Sequence, residues 1–207
     1  MNLYREFGNQ AQIDAQYNPA LKLADITSPG RRYAQRSAFA RDTLDCTLDV
    51  PYGPTRAETL DIFPAGVPKA PVFVFLHGGY WRALSSKDFS CVALGLQPLG
   101  ITTVVVNYAL CPQVSIDEIT RQVRAALAWT HRSVASHGGD PARVALGGHS
   151  AGAHLSAMCL QTPWAQDYGL PPDPVVAAVL VSGIYVIAPL RYSCLQPMIQ
   201  LDDGVIR

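Results

Sequence analysis

Four stretches of the chain are almost continuously apolar: 71–76 (PVFVFL), 102–108 (TTVVVNY), 142–148 (ARVALGG) and 175–183 (VVAAVLVSG). Runs of this length, rich in β-branched residues, predict strands buried on both faces. Between them lie segments of helical character at 86–96, 116–136 and 151–161, each long enough to cross over a sheet. The second has the clearest pattern. Ile116, Ile119, Val123, Ala126 and Leu127 form an apolar stripe at helical spacing, with Asp117, Glu118, Arg121 and Arg124 falling elsewhere. Upstream, 44–51 (LDCTLDVP) and 59–63 (TLDIF) alternate apolar with polar around Tyr52-Gly53-Pro54, which predicts a strand pair with one wet face. Strand, helix, strand, repeated with buried strands, gives an α/β fold class: a mostly parallel sheet with helices on both faces and right-handed crossovers. Residues 1–30 are polar, dotted with aromatics, and close on Ser28-Pro29-Gly30; only 34–40 just beyond them reads as helical. The segment 1–40 is therefore read as an N-terminal cap on one domain spanning 1–207.

Composition narrows the function classes. At 207 residues the chain fits a single domain, and 49% hydrophobic with 15% charged residues predicts a compact globule. Lys plus Arg and Asp plus Glu number 16 each. No net field then attracts phosphate backbones or anionic lipid, so nucleic acid is not an expected partner. No apolar run approaches the roughly 20 residues of a membrane span. Arg5 and Glu6 interrupt the apolar core that a signal peptide needs, so the expected location is the cytoplasm. The five cysteines, Cys46, Cys91, Cys111, Cys159 and Cys194, include no C-x-x-C pair that would suggest zinc or a redox pair and are read as reduced, mostly buried thiols.

The chemistry centres on Gly148-His149-Ser150-Ala151-Gly152, a G-x-S-x-G pentapeptide. The pattern gains meaning from its position between a predicted strand and a predicted helix. There a sharp turn can hold a strained serine, with glycines where any side chain would clash. This is a nucleophile elbow: it lifts the Ser150 hydroxyl above the carboxyl edge of the sheet and aims the Ala151 N–H at a substrate oxygen. Seventy-three residues earlier, the strand 71–76 ends in His77-Gly78-Gly79-Tyr80-Trp81. An HGGG-type loop after the third strand supplies the second oxyanion donor in such hydrolases, so Gly78, Gly79 and Tyr80 are the candidate donors.

With HGGYW followed by GHSAG, the chain resembles the kynurenine formamidase branch of the α/β-hydrolase superfamily, close to the HGGG-type esterases. The likeness extends to IDAQYNPAL (13–21), GGDPARVALGGHSAGAH (138–154) and VLVSGIY followed by APLR (179–191). The resemblance implies a serine hydrolase with no metal and no cofactor, acting on N-formyl amides such as N-formylkynurenine, or on aryl and short-chain esters. Ser150 would be the nucleophile. Tyr80, Trp81 and His149 would wall the pocket for a small-molecule substrate, although a tryptophan packed under its own loop reads equally well. The family usually has an acidic residue where Val186 stands.

The rest of the triad is not found. In this fold acid and histidine follow the serine in chain order, yet the histidines are His77, His131, His137, His149 and His154. His154 is read as helix packing and His77 as ordering its loop. Asp167, Asp173, Asp202 and Asp203 are candidate acids, none of which follows a predicted strand. The resemblance places acid and histidine after two further strands, so the chain is expected to be truncated, with both residues beyond 207. Alternatives are a broad carboxylesterase and a catalytically inactive remnant or binding module. Without the last two strands, 175–181 would be an uncovered edge, predicting self-association and hence a homo-oligomer.

Overall fold

The β-branched runs form the interior of one six-stranded sheet, and the segments between them fold over its two faces. The computed structural model of the protein describes residues 2–18, 25, 27–202 and 204. In chain order the elements are α1 (Gln10–Tyr17), α2 (Ser28–Thr43), β1 (Thr47–Pro51), β2 (Thr59–Phe63), β3 (Ala70–Leu76), α3 (Ala93–Leu96), β4 (Thr102–Val106), α4 (Ile116–Ser133), β5 (Gly139–His149), α5 (Ala151–Leu160), α6 (Trp164–Tyr168), β6 (Ala177–Val181) and α7 (Gln196–Ile199). Strand order is β1-β2-β4-β3-β5-β6. β1, β2 and β4 pair antiparallel, whereas β4, β3, β5 and β6 run parallel. The parallel strands therefore end at one common carboxyl edge.

Alternation along each strand sorts its side chains between two cores. Leu60, Ile62, Val72, Val74, Leu76, Val104, Val106, Val144 and Leu146 join one core with Ile119, Val123 and Leu127 of α4 and Leu155 of α5. Phe63, Phe75 and Val105 point the other way, onto Phe89 and Ala93. Helical segments cover both faces, as the burial pattern required. α4 starts on a Ser115 cap that accepts from the Glu118 N–H, and Asp117 and Glu118 occupy its first turn. No helix among the described residues is long and apolar enough to cross a membrane, and no group of three metal-ligating side chains comes together among them.

Several local readings change. β2 has no wet face: Leu60, Asp61, Ile62 and Phe63 are all buried, because β2 lies inside the sheet between β1 and β4. Its polar position is neutralised, since the Asp61 carboxylate meets Lys87 Nζ at 2.5 Å and accepts from Ser86 Oγ and the Asp49 N–H. β6, expected to be buried on both faces, is largely exposed, with Val179 54% and Val181 48% accessible, because it is the outermost strand of the described sheet. The span 86–96 breaks into two 3-10 turns and one α turn, separated at Phe89. In the N-terminal segment, Ser28-Pro29-Gly30 opens α2 instead of closing a loop, since proline is tolerated in a helix's first turn, where no N–H is needed. α1 had no apolar stripe to reveal it, and Ile13 is its only buried residue. Pro19, Ala20 and Leu21 of the stretch 13–21, and Asp203, lie outside the described residues. All five cysteines are free, but only Cys111 and Cys159 are buried; Cys194 is exposed, on the turn before α7.

Candidate active site

β5 delivers Ser150 to the carboxyl edge of the sheet, and α5 departs from it in the next residue. Ser150 has φ 56° and ψ −118°, a left-handed backbone that costs a serine on the order of 1 kcal/mol or more. Its surroundings enforce that conformation. A Cβ on Gly148 would lie 2.4 Å from the Gly152 carbonyl, and one on Gly152 would lie 2.0 Å from the Leu76 oxygen. Both glycines of the elbow are thus demanded by backbone on the far side. The Ser150 N–H donates to Val181 O at 2.8 Å, and its carbonyl accepts from Ala153 and His154 in the first turn of α5. No side chain among the described residues hydrogen-bonds the Ser150 hydroxyl.

The loop after β3 lies directly against this turn. A Cβ on Gly78 would meet the His149 carbonyl at 2.9 Å, His149 Nδ1 at 3.1 Å and Ser150 Cβ at 3.3 Å. Gly79, Tyr80 and Trp81 then take three consecutive positive φ values of 117°, 52° and 57°. Gly79 is required there, because its Cβ would overlap the Ala83 carbonyl at 2.1 Å. That carbonyl belongs to the turn closed by Arg82 and Ala83 donating to Gly79 O. The N–H groups of Gly78, Gly79 and Tyr80 find no acceptor among the described residues, and neither does that of Ala151, the first residue of α5. Unpaired amides on both sides of an unbonded serine hydroxyl form a pocket edge suited to negative charge.

His77 is fully buried beneath this loop. Its Nδ1–H donates to Gly78 O at 2.8 Å, and its ring stacks on Tyr108 with centroids 4.0 Å apart, while the Tyr108 hydroxyl donates back to His77 O. With Nδ1 protonated, Nε2 is bare and without a partner. Burial pushes the His77 pKa down to about 4, so the ring is a neutral brace for the loop. His154 lies one turn into α5, edge-on to Trp81 at 5.1 Å between centroids, and burial also pushes it down to about 4. His149 is half-buried, its pKa lowered by that burial, and it packs against Gly78.

His131, Asp173 and His137 lie around the start of β5, at the other edge of the sheet. The His131 ring is 2.7 Å from Pro174 O, and with Asp173 it borders the start of β5. His137 precedes the first residue of that strand and packs against Trp129. Asp167 sits in α6 beside Tyr168, whose carbonyl accepts from Arg132 near the end of α4. Asp202 accepts the Gly204 N–H. None of these groups is brought to Ser150. Trp81 requires a correction as a pocket residue: its side chain is 0% exposed and belongs to the core, because the left-handed backbone at Tyr80 and Trp81 turns the indole inward onto His154. Tyr80 does face a cavity, of about 270 Å³, shared with Tyr17 of α1, Arg82 and Cys194. The Tyr80 hydroxyl donates to the Tyr17 carbonyl, docking the N-terminal segment on the loop. Sequence reasoning missed Tyr17, Arg82 and Cys194. Only Tyr17 carried a signal, within the stretch 13–21.

The comparisons with known proteins agree with this geometry. A family described as the alpha/beta hydrolase fold matches residues 73–199, which include both the loop and the elbow. A kynurenine formamidase of Salmo salar is 34% identical over 205 residues, covering 95% of this chain and 68% of its own length. The esterase LipQ of Mycobacterium tuberculosis is 32% identical over 190 residues, or 86% of this chain and 42% of LipQ. Among solved structures, a protein of Silicibacter sp. tm1040, provisionally described as a thioesterase, superposes with a TM-score of 0.81 at 28% identity, covering 94% of this chain and 72% of that one. The chain spans about two thirds of the formamidase it matches. By family, sheet order and loop geometry, the chain belongs to the α/β-hydrolase fold family, whose members act on ester or amide bonds.

Proposed function

We propose that Ser150 is the nucleophile of a serine hydrolase that removes a formyl or short acyl group from an aryl amide or ester. Ser150 Oγ attacks the carbonyl carbon, and the oxyanion is held by the N–H groups of Ala151 and of the Gly78–Tyr80 loop. Collapse of the tetrahedral species breaks the C–N or C–O bond, the leaving group departs with a proton, and water cleaves the acyl-enzyme to the free acid. The observation that carries this reading is the left-handed Ser150, its hydroxyl unbonded between unpaired backbone amides. No histidine among the described residues engages that hydroxyl.

The likeness to a kynurenine formamidase favours an N-formyl amide of the N-formylkynurenine type. The likeness to LipQ supports a second reading, a broader carboxylesterase. An unarmed elbow makes the 207-residue chain itself a poor catalyst, which is also what a remnant or binding module would require.

A fluorophosphonate probe with added imidazole as external base tests the assignment. Modification should map to Ser150, accelerate with imidazole and vanish in Ser150→Ala. Fast labelling without imidazole would place a base within these residues, and no labelling of folded protein even with imidazole would defeat the nucleophile assignment.

A further inference from the structure

The cavity beside the oxyanion loop contains a positive charge that the fold does not use. Tyr80, two residues after the Gly78 that packs against the elbow, sends its side chain into this cavity, where Tyr17 forms another aromatic wall. Arg82 lines the same space two residues further on, and its guanidinium makes no hydrogen bond or ion pair with any described residue. Asp14, the only carboxylate among the described residues lining the cavity, is already engaged. Its Oδ1 accepts the Cys194 N–H at 2.8 Å and its Oδ2 accepts from the Gln10 amide at 3.3 Å, which pins the turn before α7 to α1.

Aromatic walls with one uncommitted guanidinium are complementary to an aryl ring bearing an anionic group, since arginine presents a planar fork to carboxylates. At about 270 Å³ the space is at the small end of ligand sites and suits one substituted ring. Resting on the hydrolase reading above, we propose that this cavity receives the leaving-group half of the substrate and that Arg82 selects aryl leaving groups that carry a carboxylate. Tyr80 links the two: its N–H, in the loop that packs on the elbow, is unpaired among the described residues, and its ring lines the cavity.

Cys194, exposed at the same cavity, reports occupancy without any turnover. The 207-residue chain is alkylated with neutral iodoacetamide in the presence of benzoate, benzamide or benzylamine, and modification of Cys194 is followed by peptide mass spectrometry. Benzoate should protect Cys194 at about tenfold lower concentration than its neutral amide, the discrimination expected of one charge-assisted pair. Arg82→Gln should abolish that preference and Arg82→Lys should keep part of it. Circular dichroism verifies the fold of each variant, and Arg82 is exposed, so neither substitution disturbs the core. Equal protection by benzoate and benzamide, stronger protection by benzylamine, or no protection at all would overturn the proposal. Labelling of Ser150 is scored separately, so loss of the nucleophile assignment and loss of the Arg82 assignment give different results.

Discussion

The backbone N–H of Ser150 donates to the carbonyl of Val181 at 2.8 Å, tying the nucleophile turn to β6, an outer strand of the described sheet. β6 is a short apolar ladder, Ala177–Val181, with one described neighbour, β5. Exposed strand edges of this kind template pairing. We expect the 207-residue chain to self-associate in light scattering as concentration rises. Val179→Lys, which puts a charge on that half-exposed edge, should shift it toward monomer. A concentration-independent monomer would contradict this.

Gly152 allows α5 to touch the strand before the oxyanion loop. An alanine there would place its Cβ 2.0 Å from Leu76 O and 2.5 Å from His77 O, and backbone cannot yield as a side-chain tip can. Gly152→Ala should therefore destabilise the fold by about 3 kcal/mol in chemical denaturation. Gly95→Ala meets open space within α3 and should be neutral or stabilising by up to about 1 kcal/mol.

Stability should depend on pH through the buried histidines. Burial pushes His77 and His154 down to about 4 from an ordinary 6.5, so between those values the unfolded chain binds more protons than the folded one. The contribution is complete above the unfolded pKa and fades as pH falls toward about 4. For His77 it amounts to roughly 3 kcal/mol, with a smaller amount of the same sign from the less enclosed His154. Urea midpoints measured from neutral pH down to about pH 4.5 should fall steadily, and His154→Gln should flatten part of the slope.

Trp81 belongs to the fold more than to the substrate. Fully buried against His154, it should cost roughly 3 to 5 kcal/mol when truncated to alanine, whereas Trp81→Phe should retain most of the stability. Denaturation midpoints distinguish this from a pocket-wall role, in which the alanine variant would remain nearly as stable as the parent.

The features legible in the sequence were those with local causes. β3, β4 and β5 announced themselves because strands buried on both faces must be apolar throughout, and the elbow because its two glycines face backbone that no side chain can displace. β2 misled because Asp61 looks like a wet position until Lys87 arrives from another segment. α1 was invisible because it buries a single residue, Ile13, leaving no stripe to read. The Arg82 cavity was hidden for a topological reason: α1, the loop after β3 and the turn before α7 meet only after the chain has folded.

The contact of Gly152 with the Leu76 and His77 carbonyls has a mechanical consequence. No side chain lies between the end of β3 and the first turn of α5 at that point, so the spacing between the serine and the facing amides is gauged by main-chain atoms touching main-chain atoms. Side chains can hop between rotamers and accumulate substitutions, but a backbone-to-backbone stop has no such play. Residues elsewhere in the pocket can therefore be exchanged to suit another leaving group without retuning the gap in which the carbonyl is held.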